Sequence, residues 1–257
     1  MKVVILAGGF GTRISEESQY RPKPMVEIGG KPILWHIMKG YAHFGYTDFV
    51  ICAGYKQHVI KEYFSNYALY NSDVTFDFQG ETRAVVEHNH AEPWRVTVVD
   101  TGYSTNTGER VKRIAPYIGK ETFMLTYGDG VSDVNISELV KFHRANGKYC
   151  TLTATRPESR FGFLDLEGSM VKAFREKSQS DVGYINSGFM VLEPQVLDYV
   201  HGNVMLEEEP MEELTVDGQV IAYKHEGFWQ CMDTLRDQRR LEELWESGKA
   251  PWKVWNK

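Results

Sequence analysis

Three glycines in four positions, an arginine, and a lysine between two prolines are the residues near the start of this chain with the types and spacing to do chemistry. In Gly8-Gly9-Phe10-Gly11-Thr12-Arg13 the backbone can approach a ligand closely, because no Cβ stands in the way. Successive N–H groups in such a loop make a nest for an anion. The Arg13 guanidinium is a planar fork suited to phosphate oxygens. Lys23 stands between Pro22 and Pro24, whose rings fix the local backbone and present a second cation rigidly. Together these residues read as a cradle for a polyphosphate. The loop is not a P-loop, since no Gly-Lys-Ser/Thr follows. It is a poor dinucleotide fingerprint too, because the spacing is Gly-Gly-x-Gly and Ser15 to Pro24 does not open a helix at once.

Other polar residues stand at the ends of apolar runs. Asp129 lies between Gly128 and Gly130, either as a plain Asp-Gly turn or as an exposed carboxylate able to reach a divalent cation. Thr101 to Arg110 is rich in Gly, Thr and Ser, and reads either as a capped polar loop or as hydroxyls and amides meeting a ligand. Asn186-Ser187-Gly188 interrupts a strand, fitting a bulge or tight packing as well as a hydroxylated ligand. Asp233 stands at or just before the N-cap of a helix.

The elements that must position these residues follow from periodicity. Val3 to Ala7 is an apolar run, read as a strand buried on both faces. Pro32 to Phe44 has its apolar residues at helical spacing with proline in the first turn. Phe49 to Ala53 reads as a strand, His58 to Phe64 as a helix and Val74 to Phe78 as a third strand. That β-α-β-α-β order is the pattern of a parallel sheet wrapped by helices, with ligands at the carboxyl ends of its strands. Gln79 to Pro93 has no clean period and reads as an excursion from the core. Strands at Arg95 to Asp100, Thr122 to Tyr127 and Tyr149 to Thr155, and helices at Val111 to Tyr117 and Val134 to Asn146, complete an α/β half. The second half is more antiparallel. It has short strands at Phe161 to Asp165, Met170 to Phe174, Tyr184 to Leu192 and Val220 to Tyr223, an acidic helix at Glu207 to Leu214, and an amphipathic helix at Leu235 to Trp245.

A length of 257 residues allows one large domain, or one with an appendage. A net charge of −6 argues against general binding to nucleic acid or membrane surfaces, so any anion must be met by a local cluster of cations. Cys52, Cys150 and Cys231 are far apart without metal spacing, and read as reduced core residues of a cytoplasmic protein. The apolar run at the N-terminus is too short for a signal peptide or a membrane span.

The combination Gly-Gly-x-Gly-Thr-Arg…Pro-Lys-Pro resembles the signature of the sugar-1-phosphate nucleotidylyltransferases. The likeness runs from Leu6 to Thr234 and takes in Gly128-Asp129-Gly130, Phe174-x-Glu176-Lys177, Asn186-x-Gly188 and Trp229…Asp233-Thr234. Within that family, the strings Gly11 to Glu17, Lys23 to Met38, Asp100 to Arg110 and Phe228 to Thr234 are most similar to the branch that uses CTP and glucose 1-phosphate. The Gln-x-x-Pro-x-Gly-Leu-Ala segment with which thymidylyl- and uridylyltransferases of this fold read the base is absent, and Thr101 to Arg110 stands in its place. Cytosine reverses the donor and acceptor of uracil at N3 and C4, and an orphaned buried polar group costs about 1–3 kcal/mol. A changed reading segment therefore fits a changed base.

The resemblance implies a Rossmann-like α/β fold, with a mixed, mainly parallel sheet flanked by helices and a smaller sugar-binding part. It divides the single domain into a nucleotide-binding half (1–155), a sugar-binding half (156–234) and a C-terminal helix and tail (235–257). It implies that Leu6, Ala7, Gly8, Gly9, Phe10, Gly11, Thr12, Arg13 and Lys23 hold the nucleotide, with Ser104, Thr105, Thr107, Glu109, Arg110 and Gly128. Glu176, Lys177, Asn186 and Gly188 would hold the sugar phosphate, and Asp129 and Asp233 a Mg²⁺ ion. Arg13, Lys23 and Lys177 would act on the reacting phosphates. The resemblance further implies a homo-oligomer, with the excursion and the tail Trp252 to Lys257 as contacts, and a product destined for CDP-linked dideoxy sugars of a bacterial surface polysaccharide.

Overall fold

The computed structural model of the chain describes residues 1–79, 83–157, 163–167, 170–175 and 183–256. Its centre is a seven-stranded sheet: β1 (Val3–Ala7), β2 (Asp48–Ala53), β3 (Arg95–Asp100), β4 (Phe123–Tyr127), β5 (Cys150–Thr155), β6 (Ile185–Leu192) and β7 (Val220–His225). Across the sheet the order is β7-β5-β6-β4-β1-β2-β3. All strands run parallel except β6, which pairs antiparallel with β4 on one side and β5 on the other. The principal helices are α1 (Ile33–His43), α2 (Gln57–Ser65), α3 (Thr107–Arg113), α4 (Ile136–Asn146), α5 (Glu209–Val216) and α6 (Leu235–Glu246).

β1 is buried along its whole length, as an apolar strand inside a covered sheet must be. Alternation divides its side chains between two cores. Val3, Ile5 and Ala7 pack with the apolar faces of α1, α4 and α6, while Val4 and Leu6 pack with residues of α3 and α5. The chain order reverses between β1 and β4, so a crevice opens outside their carboxyl ends.

Two readings of the sequence change. The segment at 74–78 is a strand, Asp73–Asp77, but it leaves the central sheet and pairs antiparallel with Arg83–Glu87. The parallel partner of β2 is instead β3. The excursion thus begins before Gln79 and is a hairpin, with exposed Phe76 stacked on Phe78 at 6.4 Å. Second, two short helical turns, Thr12–Ile14 and Ser15–Ser18, follow the glycine loop directly, although the first long helix waits until Ile33. The tail docks, as its aromatic residues lead one to expect, and it does so on its own chain. Trp252 is 1% exposed, stacks on Phe228 and Trp245, and donates from Nε1 to His36 Nδ1 at 3.4 Å.

Candidate active site

β1 ends at Ala7 and β4 at Tyr127, and their loops part to leave a cavity of about 470 Å³. It is lined by Leu6 to Thr12, Lys23, Pro24, the loop 103–107, Arg110, Tyr127, Gly128, Asp129 and Met205. The volume lies in the range of small-molecule pockets, roughly 300–1,000 Å³. Gly11 turns the loop in the left-handed region, with φ +65°, and a Cβ there would press at 3.3 Å on both Lys23 and Ser18. Only the backbone of Arg13 falls within the description.

Lys23 opens a single 3₁₀ turn, Lys23–Met25, with Pro22 extended at its N-cap. The side chain is carried inward and the residue is 9% exposed. Its ammonium donates to Asp129 Oδ2 at 2.6 Å and to Asp233 Oδ1 at 2.5 Å. Burial pulls the Lys23 pKa down, but the two carboxylates outweigh it and hold it above the ordinary lysine value. The carboxylates meet because the strand Gly130–Ser132 pairs with Trp229–Cys231, and Met232 N donates to Asp129 O at 2.8 Å. Asp233 stands just before α6, and Thr234 is the N-cap, in a capping box with Asp237.

Two carboxylates converging on one point are a hard-oxygen donor set. Mg²⁺ usually takes one or two carboxylates plus substrate phosphates rather than a full protein cage. The pair therefore fits that ion, with the Lys23 ammonium marking where positive charge is held. No group of three or more His, Cys, Asp or Glu suited to a metal occurs among the described residues.

The loop after β3 is held from behind. Asn203 accepts from Asn106 N at 2.7 Å and donates to Ser104 O at 3.2 Å, and Val204 O takes Gly108 N at 3.1 Å. Ser104 and Thr105 line the cavity. Thr107 also lines it, but its hydroxyl donates to Glu207 Oε2 at 2.5 Å and takes Leu206 N at 2.9 Å. Glu109 is not among the residues lining the cavity and pairs with Arg113 at 2.9 Å. Arg110 is 4% exposed, with its donors spent on the protein's own carbonyls.

β6 runs antiparallel, so its first residues lie at the carboxyl edge of its neighbours. Asn186 Oδ1 accepts from Gly188 N at 2.9 Å, and Gly188 has φ +86° with the Tyr127 ring where a Cβ would stand. Glu176 and Lys177 lie outside the described residues. Tyr127, which lines the cavity, and Glu207, which accepts the Tyr127 hydroxyl, were not among the residues singled out from sequence. Glu207 begins a run of three glutamates, and nothing in such a run marks the one that turns inward.

The nucleotidyl transferase family model matches residues 2–230. The chain belongs to the nucleotidyl transferase family. This family member is 56% identical over 257 residues to the glucose-1-phosphate cytidylyltransferase of Salmonella typhi, with 99% of this chain and 100% of that one covered. Identity and coverage are the same with the enzyme of that name from Salmonella typhimurium strain LT2. Among solved structures, an apo UDP-glucose pyrophosphorylase superposes with a TM-score of 0.69 at 16% identity, covering 96% of this chain and 98% of that one. That likeness shows the same nucleotidyl transferase fold. No helix among the described residues is long and apolar enough to cross a membrane.

Proposed function

We propose that this nucleotidyl transferase moves a cytidylyl group from CTP to α-D-glucose 1-phosphate, giving CDP-glucose and pyrophosphate. The observation that carries the reading is the 56% identity, over the full length of both chains, to a relative named for that reaction. The cavity at the carboxyl ends of β1 and β4 supports it, lined by Lys23 and Asp129, with the Lys23 ammonium also paired to Asp233.

In this reading a phosphate oxygen of glucose 1-phosphate attacks the α-phosphorus of CTP in line. The new O–P bond forms as the bond to the bridging oxygen of pyrophosphate breaks. The attacking oxygen is anionic at neutral pH, so no general base is needed. The protein's work is to bring two anions together and neutralise the leaving group. The Gly8 to Gly11 loop and Arg13 hold the triphosphate. Lys23, charged and nearly buried, places its ammonium beside the α-phosphate or the leaving pyrophosphate. Lys177 neutralises the sugar phosphate, and Glu176 and Asn186 take the glucose hydroxyls. Asp129 and Asp233 would hold Mg²⁺, which when bound neutralises charge on the phosphates. Loop 101–110 meets the base. The halves 1–155 and 156–234 then divide nucleotide from sugar, and the exposed hairpin at 73–87 serves contact between copies in a cytoplasmic homo-oligomer.

The test is pyrophosphate release with glucose 1-phosphate and Mg²⁺, offering CTP, UTP, dTTP, ATP and GTP in turn. Release with CTP well above the others is expected. Strong release with UTP or dTTP instead would keep the chemistry and overturn the base assignment.

A further inference from the structure

A second cavity, of about 510 Å³, shares no lining residue with the first. Its size also falls in the small-molecule range of roughly 300–1,000 Å³. It lies between the loop 20–32, the helix α2 and the helical turn Tyr67–Tyr70. Four tyrosines line it. Tyr20 and Tyr70, 76% and 69% exposed, hold their rings at its mouth. Tyr67 is buried and fixed, since its ring stacks on Trp94 and its hydroxyl accepts from Trp35 Nε1 at 3.0 Å. The Tyr63 hydroxyl is buried and has no partner among the described residues, and such an orphan in a cavity wall needs a reason. The charged lining is Arg21 and Lys31 against Glu27 and Glu62, which sums to zero. The Arg21 fork is engaged with Glu27 at 2.9 Å and Glu17 at 3.6 Å, and the Lys31 ammonium donates to Asn71 Oδ1 at 3.0 Å.

These walls select a ligand by its chemistry. A phosphate would bring charge that a balanced lining, with its arginine already engaged, does not match. A wholly apolar molecule would strip water from the carboxylates, the ammonium and the amide without replacing its hydrogen bonds. A neutral sugar ring answers both demands. Its C–H faces pack on aromatic rings, and its hydroxyls donate to carboxylates and accept from an ammonium, guanidinium or amide. The Lys23–Met25 turn borders both cavities, with Lys23 lining the first and Met25 the second. We propose that this second cavity is a binding site for a neutral mono- or disaccharide, and that its occupancy alters turnover through the Lys23–Met25 turn. The binding stands apart from the nucleotide reading above, whereas the coupling rests on the catalytic role given there to Lys23.

The experiment follows free glucose, galactose, mannose and maltose by saturation-transfer NMR, on wild type and on the double variant Tyr20→Ala with Tyr70→Ala. At least one sugar should bind wild type with a Kd below about 10 mM. It should stay bound when CDP-glucose is added at saturation, and should weaken about tenfold in the double variant, the scale of losing two aromatic faces. Both rings are largely exposed, so the variant should keep the wild-type Tm; should the pair unfold, Tyr70→Ala alone is read in the same way. No binding below about 10 mM, or equal binding to both proteins, overturns the site. A signal that CDP-glucose abolishes and the double variant keeps places the sugar in the catalytic cavity and overturns it too. Binding of inorganic phosphate that is lost in Lys31→Gln would overturn the neutral ligand class. In the pyrophosphate assay the sugar should change kcat/KM for CTP about fivefold, the low end of site-to-site coupling, in wild type and not in the double variant, whose basal rate is unchanged. Binding without a change in rate overturns the coupling alone. A wild-type protein that binds the sugar but turns over no nucleotide sinks the nucleotide reading and the coupling with it, and leaves the site standing.

Discussion

Lys23 is the residue on which the site's charge balance turns. Without its ammonium, Asp129 and Asp233 lose the cation they share. Lys23→Met should lower kcat/KM by about 10²–10⁴-fold, the scale of removing one preorganised charge donor, measured by pyrophosphate release. It should also make folding more responsive to Mg²⁺, so that the rise in Tm on adding the ion exceeds that of wild type. A mutant within a few-fold of wild-type activity would remove Lys23 from the chemistry. His36 gives a different single-residue prediction. Its Nε2–H donates to Ile28 O at 2.8 Å and its Nδ1 accepts from Trp252, so both nitrogens are satisfied only in the neutral ring. Burial holds its pKa at about 4, against about 6.5 unfolded. Between these values the unfolded chain binds a proton that the folded chain does not. Stability is therefore full above pH about 6.5 and is lost as pH falls, by about 2 kcal/mol at pH 5. Denaturant unfolding at pH 8 and pH 5 should show this loss in wild type and a smaller one in His36→Gln. At this scale the glycine loop, Lys23 and Asp129 stood out in the sequence because glycine and proline constrain the backbone around them, whereas Asp233 read as a helix cap and entered the site only through the family resemblance. Glu207 could not, because its contacts depend on Tyr127 arriving from the end of β4 and Thr107 from the start of α3.

α6 is held in place next to the site by its cap. The Thr234 hydroxyl accepts from Asp237 N at 3.3 Å, and Asp237 Oδ2 takes the backbone N–H of both Thr234 and Asp233. Thr234→Ala should cost about 1 kcal/mol, a fall of about 2–4 °C in Tm for a chain of this size. It should also lower kcat, since the same box fixes Asp233. Gly188→Ala on β6 tests the other wall. A left-handed φ costs a non-glycine residue on the order of 1–2 kcal/mol, and here the new methyl would displace Tyr127. Activity should fall further than stability, and a variant with lower Tm but unchanged kcat and KM would separate Tyr127 from the site. Most helices and strands were legible because their periodicity is local. The strand at 73–77 was legible as a strand but not as an outsider, since pairing partners are chosen by the sheet and not by the strand's own residues. The aromatic tail was legible as docked but not where it docks, because the apolar surface that receives Trp252 is assembled from α1, α6 and the 228 loop.

For the molecule as a whole, the hairpin Asp73–Asp77/Arg83–Glu87 exposes Phe76, Phe78, Val85 and Val86 away from both cores. If copies of the chain meet there, Phe76→Ser with Phe78→Ser should reduce the molar mass seen by light scattering while the far-ultraviolet spectrum stays unchanged. An unaltered mass would move the contact elsewhere. The mixed sheet has a further consequence, for the order in which the chain acquires structure. Strands β1 to β4 are mutual neighbours and can assemble once residue 127 has been made, whereas β5 touches only β6 and β7, both synthesised later. A nascent chain halted near residue 160 should therefore carry a protected thiol at Cys52 and a reactive one at Cys150, although both are fully buried in the finished protein. The half proposed to cradle the phosphates can exist on the ribosome before the wall proposed to receive the sugar has any partner to lean on.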